Sequence, residues 1–253
     1  MGDHERELRR AFDAQAAAFE RAPVQSDPAA LDRLVAFAAL PAAALILDAG
    51  CGPGIVSAAF LRAGYRIYGV DLSEEMIARA RARCAEFGAR ARFARQSLFA
   101  PLPDDGFDAA VSRYVVHHVI DPVAFVRRQV ELVRPGGAIV ACDHTTDPDP
   151  VRARWHTGIE RFRDRTHTRC LTPGELVDLF AHAGLLHIRL SEEPFTLDFD
   201  EWFARGTPSK PMAEVRALLL SGPGARGFMP RTAQDGRVRI DSWRTLVRGV
   251  TPS

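Results

Sequence analysis

Residues Leu47 to Gly54 read Leu-Asp-Ala-Gly-Cys-Gly-Pro-Gly, and no other stretch constrains the chain as much. The apolar run Ala44-Leu45-Ile46-Leu47 before them reads as a buried strand, closed by Asp48. Gly50, Cys51, Gly52, Pro53 and Gly54 then make a turn with almost no side chain in it, and Ile55 to Leu61 follows as a helix. Glycine lets the backbone approach a ligand closely, and the first turn of a helix presents unpaired N–H groups. Strand, glycine turn and helix start together form a cradle for a small molecule.

The spacing narrows the ligand. A dinucleotide fingerprint needs Gly-x-Gly-x-x-Gly, with pyrophosphate on the helix dipole. Here the third glycine comes one residue early, at Gly54, and Ile55 stands where the dinucleotide glycine would be. Asp48, just before the turn, suits a ligand with a positive amino group rather than a phosphate. Asp71 ends the next apolar strand, Tyr65 to Val70, where a carboxylate can take both hydroxyls of a ribose. Together these features point to S-adenosylmethionine.

The chain has 253 residues, enough for one large α/β domain with or without a cap. Its 47% hydrophobic and 26% charged residues fit a globular protein, and a formal net charge of +1 favours neither a nucleic-acid nor a membrane surface. Lys210 is the single lysine among 33 basic residues, a bias that suits a GC-rich genome better than a demand for guanidinium groups. The cysteines Cys51, Cys84, Cys142 and Cys170 include no Cys-x-x-Cys pair, so neither a zinc knuckle nor a redox pair is indicated. The charged start of the chain resembles no signal segment and no apolar run reaches the ~20 residues of a membrane span. A cytoplasmic protein is expected, as a monomer or homodimer.

From 44 to 142 the pattern alternates strand (44–48, 66–71, 90–96, 107–113, 136–142) with helix (54–63, 73–87, 122–133). That alternation means a parallel sheet covered on both faces. Amphipathic helices are expected at 5–22 and 28–40. Beyond Asp143 the regularity stops, and residues 143–171 are rich in charge, histidine and proline. A helix at 172–183 and a strand at 185–191 follow. Residues 194–235 are again irregular, with helices at 198–205 and 211–220, and Arg237 to Val247 alternates like a final edge strand. Both irregular stretches leave the carboxyl edge of the sheet, where open α/β folds bind ligands, so both are candidate substrate covers.

Four segments carry a specific resemblance: Leu47–Gly54, Tyr68-Gly69-Val70-Asp71-Leu72-Ser73-Glu74-Glu75-Met76, Leu102-Pro103-Asp104-Asp105-Gly106-Phe107-Asp108, and Leu132-Val133-Arg134-Pro135-Gly136-Gly137. In this order they resemble the class I S-adenosylmethionine-dependent methyltransferases, in the small-molecule group related to ubiquinone and menaquinone biosynthesis. The resemblance implies one Rossmann-like domain over 1–253, with seven strands in the order 3-2-1-4-5-7-6 and the last antiparallel. It also implies an N-terminal helical lid at 1–40 and helical inserts at 143–171 and 194–235. Phe12-Asp13-Ala14-Gln15-Ala16 is similar to a family segment whose helix closes over the cofactor. The likeness extends to Arg113-Tyr114-Val115-Val116-His117-His118, to 163–169 and to Phe199-Asp200-Glu201-Trp202. It implies that Asp48, Gly50, Cys51, Gly52, Gly54, Asp71, Leu72, Met76, Gln96, Ser97, Leu98, Arg113 and Phe19 surround the cofactor. One departure stands out: the family usually has an aspartate after the third strand for the adenine amino group, and here that place holds Gln96, whose oxygen can accept the same bond.

Methyl transfer from a sulfonium is an in-line displacement in which the protein supplies orientation and a dry site. No covalent nucleophile is needed, and a base only if the acceptor arrives protonated. His117 and His118, after the fourth strand, are the candidate bases, and Arg113 a candidate for an anionic acceptor. The expected activity is methylation of an oxygen or activated carbon of a small molecule. His156 and Glu160, four apart on a helix, could with His144 or His167 bind a metal, as in a metal-assisted 2-oxo acid C-methyltransferase. That spacing alone is no recognised site, so no metal is expected. A protein that binds the cofactor for a reaction other than methylation is the remaining alternative. Ser112-Arg113-Tyr114-Val115 lacks the Pro-Pro segment of base- and amide-methylating enzymes, which argues against a macromolecular acceptor.

Overall fold

The computed structural model describes residues 3–102 and 106–253. Pro103, Asp104 and Asp105 of the third resembling segment lie outside the described residues.

Three helices open the chain: α1 (Asp3–Arg21), α2 (Pro23–Ser26) and α3 (Pro28–Ala38). The alternating half follows as β1 (Leu45–Ala49), α4 (Ile55–Arg62), β2 (Arg66–Asp71), α5 (Glu74–Arg83), β3 (Ala91–Arg95), β4 (Phe107–Arg113), α6 (Pro122–Leu132) and β5 (Val133–His144). Next come α7 (Pro150–Arg163), α8 (Pro173–His182), β6 (Leu186–Asp198), α9 (Phe199–Ala204), α10 (Met212–Ser221), β7 (Phe228–Thr232) and β8 (Val238–Val250). The sheet runs β3-β2-β1-β4-β5-β8-β6, with β7 added against β8. β1 to β5 pair in parallel and β8 runs antiparallel to both β5 and β6. This is the expected seven-strand order with one further strand.

Period-two alternation divides the core. Ile46, Val111, Val140 and Leu246 face one layer with α3 and α4, while Leu47, Ala110, Ile139 and Val247 face the other with α6 and α8. Side chains cap the helix starts: Ser73 accepts from the N–H of Met76, Asp121 from Ala124, and Thr172 with Glu175 forms a capping box.

The expectation for the end of the chain needs correction. Arg237 to Val247 is not an edge: β8 lies between β5 and β6. Its alternation reflects Val238 to Trp243, which is flanked by β6 and β7 and sits on the cap with one face buried. Arg244 to Val247, flanked by β6 and β5, is continuous in burial. The stretch 194–235 is also more regular than expected. β6 continues through Pro194 to Asp198, which is tolerated because β6 is an edge strand and its outward side needs no donor. β7 adds a hairpin where β5 has ended. Together α7, α9, α10, β7 and the start of β8 enclose a third core around Ile159, Trp202, Val215, Phe228 and Ile240.

Candidate functional site

The glycine turn sits at the carboxyl end of β1. Gly50, Gly52 and Gly54 all have positive φ, which favours glycine. A side chain on Gly50 would place its Cβ 2.7 Å from a Val115 methyl. The turn is held by N–H bonds from Gly50 and Cys51 to the Val70 carbonyl at 2.9 and 3.0 Å. The Asp71 carboxylate ties it to the next loop, accepting from the N–H of Gly52 and of Ser73 at 2.9 Å each. Each oxygen keeps a lone pair for a further donor. Burial raises the Asp71 pKa, and those N–H donors oppose the rise. Asp48, buried beneath, accepts from Ser57 Oγ at 2.5 Å, and burial pushes its pKa up to about 7.

Above the turn is a cavity of about 430 Å³. Asp48, Gly50, Cys51, Gly52, Asp71, Leu72, Met76, Gln96, Ser97, Leu98, Arg113 and Phe19 all line it. Gly54 does not: its Cβ would fall 2.9 Å from the Ala80 backbone, so that glycine serves the packing of α4 on α5. Gln96 Nε2 is buried and has no hydrogen-bond partner among the described residues. An amide edge in that state fits an adenine, which offers both donors and acceptors. Orphaned amide, paired ribose-type carboxylate and close backbone approach together fit S-adenosylmethionine.

Helix α1 lies across this cavity, and its Phe12-Asp13-Ala14-Gln15-Ala16 segment shows how. Phe12 packs edge-on against His118, Asp13 accepts from Ser73 Oγ at 2.6 Å, and the Gln15 amide meets the Thr207 hydroxyl at 2.8 Å in either amide orientation. Ser97 donates to Glu5 at 2.7 Å. The Arg113 guanidinium is bound to the same region, donating to the carbonyls of Gln25 and Val24 at 2.8 and 3.3 Å.

A smaller second cavity, about 60 Å³, adjoins the first through Phe19, Gln25, Tyr114 and His118, which border both. Tyr114 holds a positive φ of 58° at the end of β4, a strained conformation of the kind that clusters at functional sites. His118 Nδ1 lies 3.1 Å from the Thr166 carbonyl, so its Nε2 is left for a ligand. His117 borders only the second cavity; its backbone N–H donates to Asp143 at 3.1 Å, and its Nδ1 is 2.6 Å from the same carboxylate. Burial lowers the pKa of both imidazoles, and neighbouring imidazoles lower that of His117 further. They are therefore neutral and keep a lone pair.

Two residues that reading the sequence did not single out, Arg205 and Phe228, complete this cavity together with Arg163, the first residue of the resembling segment 163–169. Arg163 lies over the Trp202 ring and donates to the Trp202 carbonyl at 2.9 Å. Burial pushes the Arg205 pKa down to about 10 and that of Glu160 up to about 7. Arg205 carried no local signal, since the chain is rich in arginine throughout. His144, His156 and His167 converge beside the cavity, and with them Cys170, which linear cysteine spacing had set aside.

The family description "Methyltransferase domain" matches residues 47–141. The chain is 31% identical over 169 residues to the uncharacterized methyltransferase YcgJ of Bacillus subtilis (strain 168), covering 65% of this chain and 66% of the relative. The YcgJ crystal structure superposes with a TM-score of 0.77 at 25% identity, over 88% of this chain and 98% of that one. A ubiquinone biosynthesis O-methyltransferase of Xanthomonas campestris pv. campestris (strain B100) is 35% identical over 115 residues, 45% of this chain and 48% of the relative. The chain thus spans between 48% and 66% of the length of these curated relatives. A geranyl diphosphate C-methyltransferase from Streptomyces coelicolor A3(2), solved with Mg2+, geranyl diphosphate and S-adenosyl-L-homocysteine, shares the fold with a TM-score of 0.65 at 16% identity, over 99% and 98% of the two chains. By sheet order, glycine turn and domain match, this chain carries a methyltransferase domain at residues 47–141 within a class I methyltransferase fold.

Proposed function

We propose that this protein transfers the methyl group of S-adenosylmethionine to an oxygen or activated carbon of a small polar acceptor held in the second cavity. The observation that carries the reading is the junction of the two cavities at His118 and Tyr114. A cofactor lying on the glycine turn and an acceptor under the cap would meet there. When bound, the cofactor supplies an electrophilic methyl group on a sulfonium.

Each side chain then has a task. Asp71 receives the ribose hydroxyls on the lone pairs left by Gly52 and Ser73, and Gln96 with Ser97 receives the adenine edge. Leu72, Met76, Leu98 and Phe19 exclude water. Asp48 and the N–H groups beyond Gly50 and Cys51 face the methionine end. His118, neutral and with Nε2 free, takes a proton from a hydroxyl or carbon acid as the methyl group arrives. His117, oriented by Asp143, serves the far side of the acceptor. Arg113 acts by fastening the 22–26 segment, so residues 1–40 form a lid whose closure dries the site. Arg163 and Arg205 give the cap a preference for an anionic or strongly polar acceptor. With net charge near zero, nucleic acid is not the acceptor. The protein works in the cytoplasm as a monomer or homodimer.

Calorimetry with S-adenosylmethionine, and NAD as control, tests the cofactor half of this reading. Micromolar binding of the first alone is expected; no binding at millimolar ligand overturns it. Formation of S-adenosylhomocysteine with phenols, quinols or 2-oxo acids then tests the transfer. Tight cofactor binding without methyl transfer to any acceptor would instead favour a non-methylating reaction.

A further inference from the structure

Three imidazoles and one thiol from separate segments converge beside the second cavity. Cys170 Sγ lies 3.4 Å from Nε2 of His144, 3.6 Å from Nε2 of His156 and 3.3 Å from Nε2 of His167. His144 comes from the end of β5, His156 from α7, and His167 and Cys170 from the loop after it. That loop is held beside β5 by the Thr146 N–H, which donates to the Leu171 carbonyl at 3.0 Å, and by a parallel bridge between Thr145 and Leu171. His156, His167 and Cys170 are buried and His144 nearly so.

As hydrogen bonds these contacts are one S–H···N bond and N–H···S bonds to a weak acceptor. The distances also match a metal site. With metal–sulfur bonds of about 2.3 Å and metal–nitrogen bonds of about 2.0–2.1 Å, the S···N edge of a tetrahedral site is about 3.6 Å. The far sides of the His156 and His144 rings are also prepared, whereas the buried His167 Nδ1 has no hydrogen-bond partner among the described residues. His156 Nδ1 meets Thr146 Oγ1 at 2.9 Å, and His144 Nδ1 lies 3.5 Å from Asp143 Oδ1. Outer partners of this type orient metal-bound imidazoles.

We propose that Cys170, His144 and His156, whose ligand atoms all lie within 4.8 Å of one another, bind a zinc ion. One thiolate and two imidazoles form a borderline-soft set, which suits zinc and leaves a fourth position for water. On binding, the Cys170 S–H bond breaks, its proton passes to solvent, and a sulfur–zinc bond forms. The site then carries a single positive charge, which the Asp143 carboxylate beside His144 offsets. Three protein ligands, one each from α7, the 164–171 loop and the end of β5, share the ion, so it fastens these segments together and shapes the wall of the second cavity. His117, His144 and His167 form an overlapping set whose ligand atoms lie within 4.8 Å of one another. The set with sulfur is favoured because its thiolate is the softer donor. The proposal rests on this geometry alone and not on the methyl-transfer reading.

The test is metal content, measured without cofactor or acceptor. The full chain, purified from zinc-supplemented medium and desalted, should carry one zinc per chain by plasma mass spectrometry. Cys170→Ser and His156→Ala should lose it while keeping a folded circular dichroism spectrum. Because a variant can fail to fold, cobalt(II) reconstitution of the wild-type chain provides a second readout. A thiolate-to-cobalt charge-transfer band with intense visible bands marks a tetrahedral sulfur-containing site. Either of two results would overturn the proposal: a folded wild-type chain that takes up neither ion, or zinc retained in Cys170→Ser but lost in His117→Gln.

Discussion

The cofactor side of the cleft is lined mainly by backbone, apolar side chains and carboxylates, with Asp48 and Asp71 at the glycine turn, whereas the cap side gathers imidazoles, guanidinium groups, a carboxyl and a thiol. The first side gains its shape from where strands end, and its polar contacts are mostly N–H groups of a turn. Such a surface depends on φ values and close approach, which a few glycines encode locally. The second side buries titratable groups, each of which needs a partner or a shift toward its neutral form. Its partners come from residues 114–118, 143–170 and 193–244, so its order depends on the cap packing as a whole. The cofactor side is thus a local device and the cap side a tertiary one.

Substitutions across this division should separate the two. The largest effect is expected at their junction: His118→Asn should lower turnover about 10²- to 10⁴-fold, the usual range for a lost general base. Cofactor affinity by calorimetry should barely move, and unchanged turnover would assign the proton to another group. Next comes Asp48, whose pKa burial raises to about 7 from an ordinary aspartate's 3.8. Between these values the native state holds more protons than the unfolded one, so its contribution to stability is complete below pH 4 and is lost as the pH rises through 7. This contribution is at most about 4 kcal/mol. Denaturant titrations across that pH window should show a flatter slope for Asp48→Asn than for wild type, and equal slopes would contradict the burial argument. Asp71→Ala should weaken S-adenosylmethionine by about 1–3 kcal/mol, the scale of lost charged hydrogen bonds, without altering the metal content of the cap. The smallest effect belongs to the clasp between the sides. Asp13→Ala removes the bond to Ser73 and should cost about 1 kcal/mol, roughly five-fold in cofactor affinity, read as faster release in stopped-flow measurements.

Reading the sequence picked out many of the residues that line the larger cavity because their signals are contiguous: a strand, a glycine turn and a carboxylate at the end of the next strand. Gly54 shows the limit even there. The sequence marks the glycine, but only the neighbouring helix reveals that Ala80, not the ligand, demands it. β8 shows a second limit. Alternation over Arg237 to Val247 describes a half-buried strand, yet β5 covers only its later part, so one strand is both cap and core.

The sequence alone determined the nucleotide-type cradle, the five parallel strands and the caps that start their helices, because each follows from residues within a few positions of one another. The tertiary structure decided the rest. It bound Arg113 to the lid, joined the two cavities at a strained Tyr114, and brought Cys170 to three imidazoles from as far as 26 positions away. No periodicity or spacing encodes such a meeting, because it depends on how the cap closes over the end of the sheet.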